Sequence, residues 1–375
     1  MDDFIPVNQP VLDGREKEYL ARCIESGWIS SEGPAVREFE EKLAARVGRQ
    51  HGIAVSNGST ALDLAVRALR LPEGSEVIMP SFTIISCAAA IVRAGLKPVL
   101  IDADPSNWNM DVGQLKSKVS SKTRAIMVVH IYGLPTDMDP VLDFAQKHDL
   151  RIVEDAAEMH GQTYRGKACG GFGDVSVFSF YPNKHITTGE GGMVVTDDAE
   201  IAETCQSLRN LAHSRGRRFV HEELGFNYRL TNLQAALGLA QLERLDESIA
   251  KKRRMGRFYN SHFEGVPELE IPPPRTDYAD NIYWVYGMVL ADSVRMDAAQ
   301  MMARLAELKV GTRPFFWGMH EQPVFRRRGW YLDEKYPVTE RIARRGFYVP
   351  SGLGITEEQQ LRVVEAVKRA LVTVP

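Results

Sequence analysis

The strongest constraint on the fold is an alternation of short apolar runs with amphipathic stretches, which continues from Asp13 to about Thr196. The apolar runs have the length of strands and lie at residues 53–55, 76–79, 97–101, 125–129, 151–153, 175–179 and 193–195. Segments with helical periodicity lie between several of them, at residues 60–70, 84–94, 112–119 and 140–148. Because continuously apolar strands alternate with helices, we predict an α/β fold in which helices sandwich a mostly parallel sheet.

The pattern changes near Leu230 and predicts a second, smaller domain. Thr231-Asn232 has the residue types of a helix start, and a helical pattern follows towards Phe258. Beyond a proline-rich link at 266–274, we predict a strand at 282–290 and helices at 297–308 and 357–371. The sequence therefore predicts a large domain at residues 1–246 and a smaller α+β domain at residues 247–375. The N-terminal segment is free to pack on the smaller domain.

Composition and charge argue against several classes of protein. Hydrophobic residues make up 44% of the 375 positions and charged residues 25%, which is typical of a soluble globular protein. The formal net charge of −3 argues against nucleic acid or an anionic membrane as the main partner. The N-terminus has no signal-peptide pattern, and Arg93 and Lys97 interrupt the longest apolar stretch, so no membrane span is expected.

The four cysteines are widely spaced along the chain: Cys23, Cys87, Cys169 and Cys205. This spacing fits neither a disulfide framework nor a metal cage, and it favours a reducing compartment. We therefore predict a cytoplasmic protein that binds no metal.

One motif places a lysine directly after a predicted buried strand and before a run of small residues and glycines. It is Ser179-Phe-Tyr-Pro-Asn-Lys184-His-Ile-Thr-Thr-Gly-Glu-Gly-Gly192. Glycines let the backbone approach a bound group closely, and a lysine held in such a place can form a Schiff base with an aldehyde cofactor. For Lys184 alone, a surface position beside a glycine-rich turn is the simpler interpretation.

Two further motifs lie where other predicted strands end. Glu154-Asp155-Ala-Ala-Glu158 follows an apolar strand, at the edge where open α/β sheets bind ligands, and a carboxylate there can hold a proton on a pyridine nitrogen. The alternative is a helix N-cap, a common position for aspartate. Ser56-Asn-Gly-Ser59-Thr60 joins a strand to a helix whose free N–H groups suit a phosphate, although ordinary capping explains it equally well. It lacks the Gly-Lys-Ser/Thr ending of a P-loop.

A phosphate site, an acid and a lysine in this chain order compose a pyridoxal-phosphate site. The chain resembles the DegT/DnrJ/EryC1/StrS family of pyridoxal-phosphate-dependent aminotransferases, fold-type I enzymes that act on nucleotide-linked keto sugars. The resemblance extends almost from end to end. It is carried by three motifs in combination: Glu154-Asp-Ala-Ala157, Thr188-Gly-Glu-Gly-Gly192 and Gly225-Phe-Asn-Tyr-Arg-Leu-Thr-Asn-Leu-Gln-Ala-Ala236.

The resemblance implies a role for individual residues at the cofactor ring. Lys184 would be the catalytic residue, which forms the Schiff base and moves protons. Asp155 would pair with the pyridine nitrogen, and Glu158 would face the phenolic oxygen. The amino donor would be L-glutamate, and the acceptor would be a nucleotide-linked 4-keto-6-deoxy sugar.

The resemblance also implies how the phosphate and the substrate are held. Ser59, Thr60 and Ser179 would bind the phosphate, together with Asn227 of the partner subunit, because active sites of the family lie at a homodimer interface. The substrate would be contacted by Arg313 and His320.

Within the family, residues 183–192 and 225–246 resemble the enzymes that aminate GDP-4-keto-6-deoxymannose at C4. UDP- and dTDP-linked keto sugars remain alternative acceptors. Sugar dehydratases of the same fold carry histidine in place of the lysine, so Lys184 disfavours dehydration. A regulatory relative without catalysis is disfavoured by the intact set of Lys184, Asp155 and Ser59.

The chain departs from the family pattern at two places. Ile84 stands where an aromatic residue usually stacks on the cofactor ring, and Tyr181-Pro182 replaces an aromatic–glycine pair, where proline fixes φ. Among other polar residues, His130 ends a strand near the predicted site. We interpret the basic runs at 251–254 and 326–328 as solvated faces, and the run at 215–218 as the better candidate for a nucleotide diphosphate.

Overall fold

The computed structural model describes residues 4–214, 217 and 219–372 and contains one large and one smaller sheet. The strands of the large sheet are β1 His51–Val55, β2 Glu76–Pro80, β3 Lys97–Ile101, β4 Thr123–Val129, β5 Arg151–Asp155, β8 Val175–Ser179 and β9 Gly192–Thr196. A separate hairpin consists of β6 Thr163–Tyr164 and β7 Lys167–Ala168. All of the runs predicted as strands between residues 53 and 195 are confirmed.

The large sheet has the strand order β1-β9-β8-β5-β4-β2-β3. Strands β3, β2, β4, β5 and β8 are parallel to one another, whereas β9 runs antiparallel to both β8 and β1. The predicted mostly parallel sheet is therefore confirmed. The carboxyl ends of β2, β4, β5, β8 and β1 all lie at one edge, where ligand sites of such sheets form.

Helices cover both faces of the large sheet. They are α1 Glu16–Ser26, α2 Pro34–Arg46, α3 Gly58–Ala68, α4 Ile85–Arg93, α5 Leu115–Lys118, α6 Met138–His148, α7 Ala199–Arg209 and α8 Asn232–Leu242. The predicted helix at 112–119 is a 3₁₀ turn at Val112–Gln114 followed by the single turn of α5.

Alternate residues of one strand enter different cores. Met127 packs in one buried cluster, and its neighbours Ile126 and Val128 pack in the other. Both faces of the strand are thus removed from water, which explains why its sequence is continuously apolar.

The smaller sheet has the order β10-β11-β13-β12 and is antiparallel throughout. Its strands are β10 Leu269–Glu270, β11 Tyr286–Leu290, β12 Arg313–Pro314 and β13 Gly346–Val349. The helices of this region are α9 Leu245–Phe263, α10 Ala298–Glu307, α11 Pro323–Arg326, α12 Pro337–Arg345 and α13 Glu357–Val372, with a 3₁₀ turn at Met319–Glu321. The predicted strand at 282–290 begins four residues later than expected, at Tyr286.

The helical pattern after Thr231 forms two helices, α8 and α9, separated at Glu243 and Arg244. The predicted boundary at 246/247 falls in the first turn of α9. Leu245 packs in a core of the large sheet, and Phe263 packs in the core of the smaller one, so one helix joins both cores.

The N-terminal segment packs on the smaller sheet region. Ile5 is buried in the same core as Phe263, and its N–H donates to the carbonyl of Lys309 at 2.8 Å. Among the described residues, no helix combines the length and apolar character needed to cross a bilayer.

Candidate active site

A cavity of about 590 Å³ lies at the edge of the large sheet where the parallel strands end, a size typical of small-molecule sites. Its wall is formed by residues that follow β1, β2, β4, β5 and β8, together with residues of the smaller sheet region. They are Asn57, Gly58, Ser59, Leu62, Thr83, Ile84, Ser86, Val129, His130, Asp155, Ala157, Glu158, Ser179, Tyr181, Asn183, Lys184, Glu190, Trp284, Phe316 and Tyr348.

The N-terminus of α3 opens into this cavity. Asn57 caps the helix by accepting the N–H of Thr60 at 2.9 Å, and the hydroxyl of Thr60 is tied to Asn57 in return. The first N–H groups of the helix, those of Gly58 and Ser59, have no acceptor within it and can bind an anion. Ser59 also presents its hydroxyl, which lies 2.7 Å from the hydroxyl of Ser86.

Ser179, at the end of β8, lies directly beside this helix start. A Cβ placed on Gly58 would lie 2.7 Å from the Cβ of Ser179, so only glycine lets the two segments approach so closely. The structure therefore brings Ser59 and Ser179 together as predicted donors to a phosphate. Thr60 lies one residue further into the helix, with its polar groups in the cap.

Asp155 ends β5 with its side chain 3% exposed. Its Oδ1 accepts the N–H of Ala157 at 3.0 Å, and its Oδ2 accepts the thiol of Cys87 at 3.2 Å. Burial raises the pKa of Asp155, and these two donors and Lys184 oppose the rise. Residues 156–162 form turns, so the alternative interpretation of Asp155 as a helix N-cap is wrong.

Lys184 and Glu158 face each other in the cavity, with both side chains 9% exposed and Nζ 4.0 Å from Oε1. The backbone N–H of Tyr132 donates to the other oxygen of Glu158 at 2.7 Å. Burial raises the pKa of Glu158 to about 8, although Lys184 and the Tyr132 N–H oppose this shift. Burial lowers the pKa of Lys184, and Glu158 and Asp155 oppose that shift.

Glu154, the first acid of the run, points away from Lys184. Its carboxylate accepts the N–H groups of Gly170 and Phe172 and the hydroxyl of Ser176, and it contacts His130 Nε2 at 3.0 Å. His130 is fully buried beside the cavity, and its Nδ1 accepts the N–H of Thr136. The pair thus holds the loops around the site.

Four predicted site residues lie outside the cavity wall formed by the described residues: Thr60, whose polar groups are in the helix cap, and three residues further along the chain. Asn227 is exposed and forms a backbone bridge with Asn210. Arg313 is exposed on β12, opposite Tyr348 of β13. His320 is 1% exposed, and its Nδ1 lies 2.8 Å from the hydroxyl of Ser81. Since its ring is buried, His320 is placed to hold Ser81 rather than to touch a substrate.

The two departures from the family pattern both lie at the cavity. Ile84 is 44% exposed in its wall, and Tyr181 is 50% exposed there. The carbonyl of Pro182 accepts the side chain of Asn8 at 2.9 Å, so the N-terminal segment braces the loop before Lys184.

Tyr132, which contacts Glu158, belongs to the motif His130-Ile-Tyr-Gly133, which the sequence places near the predicted site. Trp284 and Cys87, which contact Lys184 and Asp155 respectively, were not predicted from the sequence. The residue pattern gives no signal for them, because Trp284 is 100 positions from Lys184 and Cys87 is an ordinary buried residue of a helix.

The predicted basic loop at 215–218 lies only partly within the described residues, since residues 215, 216 and 218 fall outside them. Arg217 is described and lines a second cleft of about 1180 Å³ together with Arg209 and Arg229. Lys184 and Asp155 line the cavity of about 590 Å³ instead, so we assign the reaction to that cavity.

The residues of the first cavity fit pyridoxal phosphate. The start of α3 with Ser59 and Ser179 offers donors to a phosphate, and buried Asp155 suits a pyridine nitrogen that carries a proton. Lys184 offers a primary amine in the same cavity. The fold and this site define an aminotransferase that uses pyridoxal phosphate.

Comparison with known proteins gives the family. Residues 10–368 match the model of the DegT/DnrJ/EryC1/StrS aminotransferase family, and the chain belongs to this family. It is 38% identical over 364 residues to the GDP-perosamine synthase of Escherichia coli O157:H7, covering 97% of this chain and 98% of that one. It is 39% identical over 368 residues to the GDP-perosamine synthase of Caulobacter vibrioides, covering 98% of each.

The structure is also similar to that of DesV from S. venezuelae. The TM-score is 0.88 at 32% identity, over 96% of this chain and 95% of DesV. The fold-type I architecture predicted from the sequence is therefore confirmed.

We expect Glu158 to keep its proton near neutral pH, which makes stability depend on pH. The unfolded chain loses this proton near pH 4.5, and the folded chain keeps it up to about pH 8. Between these values the folded state binds one more proton than the unfolded state. This group therefore makes the unfolding free energy decrease as the pH rises, by up to about 1.4 kcal/mol per pH unit. In urea unfolding of the cofactor-free protein, the unfolding free energy should decrease relative to that of Glu158→Gln as the pH rises from 4.5 to about 8, because the lowered pKa values of His160 and His185 act equally on both proteins.

The matched control is Glu358→Gln, at an exposed position of α13, which should leave the decrease unchanged. An identical pH dependence in Glu158→Gln and the unaltered protein would contradict the prediction.

Proposed function

We propose that the protein transfers an amino group from L-glutamate to C4 of GDP-4-keto-6-deoxymannose and so makes GDP-perosamine. The observation that carries this proposal is the position of the Lys184 amine, buried 4.0 Å from Glu158 in the cavity that also contains Asp155. The choice of sugar is supported by the two GDP-perosamine synthases, which match this chain at 38% and 39% identity over almost the whole length.

The cofactor would be held by residues from three chain segments. Ser59 and the start of α3, together with Ser179, would bind its phosphate, and Asp155 would hold a proton on its pyridine nitrogen. Glu158 would face its phenolic oxygen and, protonated near neutral pH, would donate a hydrogen bond to it. When bound, pyridoxal phosphate supplies an aldehyde carbon that reacts with amines and a ring that withdraws electrons from that carbon.

Lys184 would act as the acid and base of both half-reactions. Its Nζ would take a proton from the α-carbon of the amino acid and deliver one to the aldehyde carbon of the cofactor, and with the keto sugar it would move protons in the reverse order. Burial favours the neutral amine, which is the form able to accept a proton. One base within reach of two carbons serves both directions.

Dehydration is the less favoured alternative on this site. The dehydratase relatives replace the lysine by histidine, whereas here Lys184 lines the cavity and His185 is buried behind it. UDP- and dTDP-linked keto sugars remain the alternative acceptors, since the cavity residues named above bind the cofactor rather than the nucleotide.

We also propose that two subunits share their active sites in a homodimer. Asn227 is exposed and lies away from its own cavity, in a position that leaves it free to reach another subunit. The second cleft, with Arg209, Arg217 and Arg229, offers cations for the diphosphate of a nucleotide sugar.

All four cysteines are free, which fits the reducing cytoplasm.

Lys184→Ala should fold but make no detectable amino sugar, because the reacting amine is lost. We expect a decrease in turnover of at least about 100-fold, the usual contribution of one acid–base group. Borohydride treatment of the cofactor-loaded protein, followed by peptide mass spectrometry, should find the cofactor on Lys184. The control Lys251→Ala, on the exposed side of α9, should keep full activity. Normal turnover by Lys184→Ala, or a cofactor attached to another lysine, would contradict the assignment.

The acceptor is tested by offering GDP-, UDP- and dTDP-linked 4-keto-6-deoxy sugars with L-glutamate and weighing the products. We expect the GDP-linked sugar to exchange its keto oxygen for an amino group at the highest rate. Amination of only the dTDP-linked or UDP-linked sugar would refute the choice of sugar and leave the aminotransferase assignment intact. Repeating the assay with L-aspartate or L-alanine tests the amino donor.

Mixing two inactive variants tests the shared site. Lys184→Ala and Asn227→Asp subunits should each have low activity as homodimers. In a hybrid dimer one site regains both intact residues if Asn227 of the partner subunit completes it, so random mixing should restore roughly a quarter of the normal activity. No recovery, in a mixture that contains hybrid dimers by native mass spectrometry, would place Asn227 in its own subunit's site.

A further inference from the structure

Trp284 covers the amine of Lys184. Lys184 Nζ lies 3.8 Å from the centre of the indole ring, closer than to the carboxylate of Glu158. Trp284 is 4% exposed and forms part of the cavity wall. It precedes β11 of the smaller sheet region, whereas Lys184 follows β8 of the large sheet, so the contact joins the two parts of the fold at the reacting atom.

Trp284 is held at two points, one on its indole ring and one on its backbone. Its Nε1 donates to the carbonyl of Asn183 at 2.9 Å, on the residue next to Lys184. Its own backbone carbonyl accepts Lys252 Nζ at 2.7 Å. The ring therefore has a defined position over the amine, set from one side by the lysine loop and from the other by α9.

Lys252 is an unusual anchor, because it is a buried amine that donates to two backbone carbonyls. The side chain is 3% exposed and donates to Trp284 and to the carbonyl of Ser351. The prediction that residues 251–254 form a solvated face is therefore wrong for Lys252. Burial lowers the pKa of Lys252 to about 7. Burying the Lys252 amine costs free energy. In its buried position the amine holds the backbone of Trp284.

We propose that Trp284 is a further catalytic residue whose ring face stabilises the protonated amine of Lys184, and that Lys252 is a positioning residue that holds Trp284 there. An aromatic ring carries negative charge on its face and attracts a cation, most strongly where water is excluded. Unlike a carboxylate, the ring cannot take the proton from the amine. It therefore favours the ammonium form without competing as a base.

Other charged groups also face this amine. Asp155 and Glu158, on the segment after β5, raise the pKa of Lys184, and burial lowers it. His160 lies close enough for Lys184 to lower its pKa, which burial brings to about 3, so its ring is neutral. Burial also lowers the pKa of His185 well below the ordinary value, and Lys252 contributes. The ring of Trp284 thus acts together with the two carboxyl groups against the lowering of the Lys184 pKa by burial.

The test measures the reactivity of Lys184 directly. The full-length protein, freed of cofactor, is treated with acetic anhydride over a range of pH, and mass spectrometry gives the labelling rate of the Lys184 peptide. Only the neutral amine reacts. Trp284→Leu keeps an apolar cover but removes the ring, so the pH at which labelling is half-maximal should decrease. Below that pH, Lys184 should label roughly two- to tenfold faster than in the unaltered protein.

Trp284→Phe keeps an aromatic face and should show a smaller shift in the same direction, and it serves if Trp284→Leu does not fold by circular dichroism. An unchanged or higher half-maximal pH in the folded ring variants would overturn the role of Trp284.

Lys252→Met separates positioning from simple electrostatics. If Lys252 acts through Trp284, the half-maximal pH for labelling of Lys184 should decrease, as in Trp284→Leu. Loss of a nearby positive charge alone would increase it, so an increase or no change would overturn the positioning role. The matched control is Lys251→Met, the exposed neighbour on α9, which should behave like the unaltered protein.

The proposal rests on the proposed function, since it takes Lys184 as the reacting amine, but the two can fail separately. Borohydride trapping of the cofactor on another lysine would refute the proposed site. The labelling result does not require cofactor, so it decides independently whether Trp284 sets the protonation of Lys184. In the cofactor-free protein, capture of added pyridoxal phosphate below the half-maximal pH should be faster in Trp284→Leu by the same factor.

Discussion

The organisation of the site depends on the burial of three ionisable side chains, Asp155, Glu158 and Lys184, in one cavity. Two carboxylates and one ammonium group in a region of low dielectric would leave an uncompensated negative charge, which is costly. The structure limits this cost by raising the pKa of Glu158 to about 8, so that one carboxyl group is neutral near physiological pH. Asp155 then remains as the carboxyl group suited to a cationic ring nitrogen.

The large sheet produces this arrangement through its parallel strands. Asp155 and Ser179 end neighbouring parallel strands, and the Lys184 loop follows directly. Gly58 lets α3 begin against Ser179, so a phosphate site forms at the same edge. Strand β5 supplies Asp155, and β8 and α3 supply the phosphate site. The sheet fixes the distances between these groups.

An aromatic cluster connects this edge to the smaller sheet region. The ring of Tyr132 lies 4.8 Å from Phe315, 5.5 Å from Phe316 and 5.9 Å from Trp284. Tyr132 has a positive φ of 56°, a conformation that carries strain for an aromatic residue, and its backbone N–H holds Glu158. One strained residue therefore links the orientation of Glu158 to the packing between the two parts of the fold.

The sequence alone determined the order and type of the main elements, because a strand buried on both faces must be continuously apolar. It also indicated Lys184, Asp155 and Ser59, whose residue types and positions after strands reflect local chemistry. It could not indicate Trp284, Cys87 or the burial of Lys252, nor that the ring of His320 is enclosed. Those features depend on contacts between segments far apart in the chain. The packing of α4 against β5 decided the contact of Cys87, and the packing of the smaller sheet region against the large one decided the others.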